Sequence, residues 1–196
     1  MPDAVPPHPT APIALGAGGG ETLWFLDFLA AVKGSASQLN GAATVIEFLG
    51  REGSGSPLHR HRDEDEWWYV LDGAMTFWVA GQSFPVRSGA FVYGPRGLAH
   101  TFRVTSPEAR FLHVTEPGGF DGFLRALARP AASPTIPPGD APLPDLDHVR
   151  AVADGFGIEV LGPPGIPDAL APTSRRPHTA APSASPSAGG HAKEPR

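Results

Sequence analysis

The 196-residue chain contains no cysteine, which excludes disulfides, thiolate metal sites and a cysteine nucleophile. Any metal would have to be held by imidazole and carboxylate. Basic residues are in the minority: 15 Lys and Arg against 20 Asp and Glu leave a formal net charge of -5, and no basic face is visible between Ile13 and Arg129. Nucleic-acid recognition needs such a face, so it is not expected. Long apolar runs are missing too. No window approaches the length of a membrane span, and the N-terminal MPDAVPPHPTAPIALGAGGG lacks the basic start and apolar stretch of a secretory signal. The expectation is a soluble cytoplasmic protein with neither a nucleic-acid nor a membrane partner. Proline is scarce in the middle of the chain: of 24, nineteen lie before Ile13 or after Arg129. That middle is therefore of globular composition, and an apolar fraction of 41% is enough for a single core.

Residues 1–12 and 171–196 are rich in Pro, Ala, Ser and Gly with almost no large apolar residues, and read as disordered tails because they offer too little burial to offset the entropy of ordering. His8, His178 and His191 fall there and read as bystanders. The run GETLWFLDFLAAVKGSA satisfies both the helical and the strand period, so local pattern leaves its structure open. From Ala43 the signals agree: ATVIEFLG, DEWWYVLDG, MTFWVAG, QSFPVRSG, AFVYGP, HTFRVTS and ARFLHVTE are short, β-branched or aromatic, and most are closed by turn residues. Strands at such spacing indicate an antiparallel sandwich or small barrel. After it, EPGGFDGFLRALARP predicts a short helix with Phe120, Phe123, Leu124 and Leu127 on one stripe. A proline-rich connector follows, and DLDHVRAVADGFGIEVLGPPG predicts a second helix capped by Asp145 and ended by Gly155. The expected organisation is a barrel with its following helix over 13–129, and a connector and C-terminal helix packed outside it over 130–170.

The stretch PLHRHRDEDEWWYVLDG concentrates histidines, acids and aromatics. On a strand, His59 and His61 point to the same face, roughly 6.5 to 7 Å apart at the backbone, from where two imidazoles can converge on one cation. Taken alone, the pair is a weak signal, more readily read as two exposed histidines. Its setting adds weight: Gly53 stands ahead of His59, Glu66 and Gly73 follow His61, and a second set comprises Gly89, Pro95, Gly97 and His100. Arg60, Arg62, Asp63, Glu64 and Asp65 read as solvated loop charges. Asp65 could stand in for Glu66, though the alternation of the following strand favours Glu66. With Glu66 facing inward, Trp68 and Val70 share its face, and Met75, Phe77, Val79, Phe91 and Phe102 are inner-face candidates on later strands. Trp68, Phe77, Phe91 and Phe102 are the expected pocket residues, each also readable as plain core. His113 reads first as a buried, hydrogen-bonded histidine, with a role behind the ligands or in the pocket as the minority reading, and His148 as surface.

These residues resemble the cupin superfamily. Its first motif, G-x5-H-x-H-x(3 or 4)-E-x6-G, is matched by residues 53–73 in full, and its second, G-x5-P-x-G-x2-H-x3-N, by residues 89–100, with Val104 in place of the final asparagine. The phrases ETLWFLDFLAAVKG, PRGLAHTFRV, EPGGFDGF and GIEVLGPPG resemble the quercetin 2,3-dioxygenase-like branch. The resemblance implies an all-β double-stranded β-helix (jelly-roll barrel) with one or two short flanking α-helices. It also implies one divalent transition metal (Fe, Mn, Ni, Cu, Co or Zn) held by His59, His61, Glu66 and His100, with Glu66 as the catalytic group. The implied activity is a dioxygenase acting on a small enol or phenolic substrate. A non-redox isomerase or cyclase, and a cupin that only binds a small molecule or metal, are the rival readings. The outward aromatics Trp67 and Tyr69 need cover, from the N-terminal strand or from a second subunit in a homodimer.

Overall fold

A computed structural model describes residues 11–164. The expected tails at 1–12 and 171–196 fall almost wholly outside the described residues, as does the end of the expected connector region. Ten strands come first: β1 Glu21–Phe25, β2 Phe28–Gly34, β3 Thr44–Arg51, β4 Pro57–His61, β5 Asp65–Asp72, β6 Ala74–Val79, β7 Gln82–Arg87, β8 Phe91–Gly94, β9 His100–Val104 and β10 Glu108–Glu116. Helix α1 (Phe120–Leu127), the short β11 (Arg129–Pro130), helix α2 (Leu146–Asp154) and β12 (Ile158–Pro164) complete the chain. They form two antiparallel sheets, ordered β11-β1-β2-β3-β10-β5-β8 and β12-β4-β9-β6-β7. One continuous apolar cluster contains Ile46, Phe48, Trp68, Val70, Phe77, Phe102 and Phe111, contributed by strands of both sheets. The strand alternation expected from the sequence is visible in β3, which is buried at every second residue from Thr44 to Gly50.

The ambiguous run GETLWFLDFLAAVKGSA is a hairpin, β1 against β2, with Phe25 opposite Phe28 across a two-residue turn at Leu26 and Asp27. Leu26 takes φ 53 there, a left-handed conformation that such turns demand and that branched residues rarely adopt. β2 continues the larger sheet by pairing with β3, so tertiary pairing decides a segment whose local period did not. The glycines that space the two motifs are explained by the same geometry: Gly53, Gly73, Gly89 and Gly97 all have φ between 78 and 87, a range open to glycine at little cost.

Helix α1 buries Phe120, Phe123 and Leu124, with Leu127 partly buried against the core. Helix α2 starts as expected, with the Asp145 carboxylate accepting from the Asp147 N–H at 3.1 Å. Beyond Gly155 the structure departs from the sequence reading. The segment from Ile158 is a strand that extends the smaller sheet, pairing Ile158 with His61 and Val160 with His59. The proline-rich connector is tied to the larger sheet: Trp24 Nε1–H donates to the Thr135 carbonyl at 2.8 Å, and the Arg51 guanidinium donates to the Pro137 carbonyl. Val104, where the motif's asparagine is missing, still has its backbone satisfied, donating to the Ser54 carbonyl at 2.8 Å and accepting from the Gly53 N–H at 3.0 Å. Among the described residues, no helix is long and apolar enough to cross a membrane.

Candidate metal centre

His59 and His61 lie on the same face of β4, and His59 sits opposite His100 on β9. Glu66 projects from β5 in the opposite sheet. One ligand atom from each of His59, His61, Glu66 and His100 lies within 4.8 Å of all the others, and all four residues are buried. The contacts converge on the carboxylate: His100 Nε2 is 2.5 Å and His59 Nε2 3.7 Å from Glu66 Oε2, while His61 Nε2 is 3.1 Å from Oε1.

The Nδ1 atoms show why the Nε2 atoms face inward. His59 Nδ1 lies 2.7 Å from the Pro57 carbonyl, and His100 Nδ1 lies 2.9 Å from the Leu98 carbonyl. A carbonyl can only accept, so each Nδ1 carries the proton and each Nε2 presents a lone pair. His61 Nδ1 makes the same kind of bond, at 2.7 Å, to a Glu64 carboxylate oxygen. Among the described residues, His61 Nε2, His100 Nε2 and Glu66 Oε2 are buried and meet no polar partner outside the cluster itself. Buried polar atoms left in this state are costly, and a cation bound among them would satisfy all three. Three imidazoles and one carboxylate suit a divalent first-row transition ion, without choosing among Fe, Mn, Ni, Cu, Co and Zn. The residues present therefore fit a metal.

Electrostatics divide the histidines. Burial, aided by the neighbouring His100, pushes His59 down to about 4, so it is neutral at physiological pH. Burial acts the same way on His61, but the Glu66 and Glu64 carboxylates outweigh it and raise His61 to about 10. Glu66 is held well below the usual carboxylate range: burial opposes ionisation, and His61, His100 and His113 overcome it.

Sequence reasoning did not single out Glu64, and it expected His113 first as a buried, hydrogen-bonded histidine. Glu64 was expected in a solvated run, yet it is 9% exposed and bonded to His61, because the bend after β4 turns it inward while Arg62 and Asp63 stay exposed. Asp65 keeps to the surface, where Arg96 donates to it at 2.8 Å, and it does not replace Glu66 in the cluster. His113, on β10 opposite Trp68, is buried and its Nε2–H donates to Glu66 Oε1 at 2.7 Å. Its position two residues after the inward Phe111 was the available signal.

A cavity of about 60 Å³, open at its mouth, reaches His59 and Glu66 of this cluster. Of the expected pocket residues, Trp68 and Phe102 line it. Trp68 packs beside His100, with ring centres 5.6 Å apart, in space left by Gly94, where a Cβ would come within 3.2 Å of the indole. Phe77 is buried against Trp68 and does not reach the cavity. Phe91 is 60% exposed on the outer face; it pairs with Tyr69, an outward position, so Val92 and Gly94 are the residues of β8 that turn inward. The remaining wall comes largely from segments flanking the barrel, including Leu26, Phe120, Phe123, Val149 and Ile158. The C-terminal segment is thus part of the cavity wall as well as an outer scaffold. Among the described residues, Ser56, His59, Glu66 and His113 are the polar lining residues, and no lysine or arginine lines the cavity.

Residues 48–115 match the family profile of the cupin domain, and they contain all four clustered residues. Over those residues the chain is similar to a cupin domain. Two antiparallel sheets closing on one core are the cupin double-stranded β-helix, and a solved structure agrees on the fold: a predicted oxalate decarboxylase from Thermotoga maritima aligns with a TM-score of 0.50 at 21% identity, covering 54% of this chain and 99% of that one. In sequence, the chain is 29% identical over 157 residues, 80% of its length, to quercetin 2,3-dioxygenase of Bacillus subtilis. The chain spans 46% of that relative's length.

Proposed function

We propose that this protein is a metal-dependent dioxygenase acting on a small enol or phenolic substrate, with His59, His61, Glu66 and His100 as the metal ligands. The observation that carries the reading is the joining of a ligand cluster to an aromatic cavity that, among the described residues, has no lysine or arginine in its wall. An anionic substrate entering it would face the Glu66 carboxylate with no lysine or arginine to balance its charge. A flat, uncharged substrate with one acidic hydroxyl suits both ends of the cavity. The similarity to a quercetin 2,3-dioxygenase supports the same class.

A divalent ion held by the four ligands would supply Lewis acidity and, where redox-active, a route to dioxygen chemistry. The chain's own groups do the rest. The aromatic wall of Phe48, Phe111 and Phe120 orients the substrate and excludes water. Glu66, ionised and anchored through Oε1 by His113, accepts the proton of the substrate hydroxyl. The resulting enolate carbon is the electron-rich centre that dioxygen attacks. Oxygen uptake tests the proposal. Protein loaded in turn with each metal from Mn to Zn is expected to consume oxygen with a flavonol or a β-diketone. Absence of uptake with every metal, or conversion of substrate without uptake, would overturn it, the second outcome in favour of an isomerase or cyclase.

A further inference from the structure

We propose that Glu64 is a positioning residue that makes His61 the strongest of the three imidazole ligands. The inference rests on reading the His59, His61, Glu66 and His100 cluster as a metal site. The three histidines are alike in direction and unlike in what holds them. His59 and His100 each donate Nδ1–H to a carbonyl two residues earlier in the chain, Pro57 and Leu98. His61 alone donates to a carboxylate, at 2.7 Å from Glu64 Oε2.

A carboxylate acceptor does two things that a carbonyl does less well. It keeps the proton on Nδ1, so the Nε2 lone pair stays aimed at the cluster. It also feeds electron density into the ring, which raises the donor strength of Nε2 toward a cation. Glu64 further supplies a second negative charge near the ligands. With Glu66 this makes two carboxylates, the number that balances a divalent ion bound by neutral imidazoles.

The placement of Glu64 is tightly enclosed. Its side chain is nearly buried although both residues before it are exposed, and burial of a carboxylate is costly unless it is paired. Its other oxygen, Oε1, lies against Gly119, the residue before α1, where an added Cβ would sit 3.0 Å from it. Oε2 is engaged by His61, and Oε1 lies beside Gly119 in the space that a side chain there would take.

The test measures metal affinity by chelator competition with Zn²⁺ and Co²⁺ on the full chain. Glu64→Ala removes the acceptor, Glu64→Gln keeps an acceptor of the same shape without charge, and Glu159→Gln, on the exposed face of β12, serves as the control. Removing a carboxylate that holds a ligating histidine typically weakens metal binding about 10- to 100-fold. That loss is expected for Glu64→Ala, with a smaller one for Glu64→Gln and none for Glu159→Gln. A second readout separates positioning from simple stability: in the Zn²⁺-loaded protein, the downfield His61 Nδ1–H resonance of the wild type is expected to move upfield in Glu64→Gln, while those of His59 and His100 stay. Should Glu64→Ala fail to fold, Glu64→Gln decides the matter. Affinity within twofold of wild type with an unmoved His61 resonance would overturn the role of Glu64 and leave the metal site standing. A wild-type protein that binds neither ion would overturn the metal site and this inference together.

Discussion

Strand β5 has two aromatic faces with opposite roles. Inward, Glu66 and Trp68 are each 1% exposed and Val70 is fully buried, beside the clustered histidines. Outward, Tyr69 is 40% exposed and Trp67 meets Phe91 of β8 with ring centres 6.0 Å apart. The two faces have similar composition and are separated by only one residue at each step. What distinguishes them is the sheet they face: the inner side meets β6, β9 and the clustered histidines, whereas the outer side meets solvent. Aromatic content alone therefore says little about a residue's part in the site, and parity along the strand says most of it.

The sharpest way to break this comparison is to truncate one residue on each face. Trp68→Ala would empty space at the junction of the core and the cavity, and buried Trp-to-Ala changes cost about 3–5 kcal/mol. The same measurement on Phe91→Ser, at the outer surface, is expected to fall within about 0.5 kcal/mol of wild type. Denaturant unfolding monitored by circular dichroism reads both, and equal losses would show that the two faces are not distinct.

Between these extremes lies a pH effect of the inner face. His61, raised to about 10 by Glu66 and Glu64 against the pull of burial, is protonated in the metal-free protein at neutral pH, and a metal must displace that proton. Apparent affinity should therefore climb with pH by about tenfold per unit below the folded-state value. Calorimetry at pH 7.5 in buffers of different ionisation enthalpy should show release of about one proton per metal bound. In the metal-free protein the sign is opposite. The stability contributed by the raised His61 is present in full below its ordinary value of 6.5 and fades as pH rises toward 10. The contribution of the depressed Glu66 is present above 4.5 and is lost on acidification. Metal-free protein should thus lose stability on the alkaline side, where metal binding strengthens.

Much of the site was legible in the sequence, and each miss has its own physical cause. The H-x-H pair, Glu66 and His100 are set by spacing and strand parity, and the structure brings them together. The inward turn of Trp68 follows from the same alternation. Phe91 broke the rule because β8 is short and its register is fixed by pairing with β5, which no local pattern reveals. The hairpin from Glu21 to Gly34 was hidden because a run apolar on both faces fits either period. Glu64 was hidden in a run of charges, where only its contact with His61 and the packing of Gly119 distinguish it from Asp63. Strand β12 carried a weak signal in Ile158 and Val160, overshadowed by the helix and glycines that precede it.

The central claim is that four buried side chains from two sheets form one metal site, and elemental analysis tests it most directly. Wild-type protein, purified and then equilibrated with a single divalent transition metal, is expected to hold one ion per chain, and His100→Ala, matched for folding by circular dichroism, to hold almost none. A folded His100→Ala variant that keeps one equivalent would contradict the account.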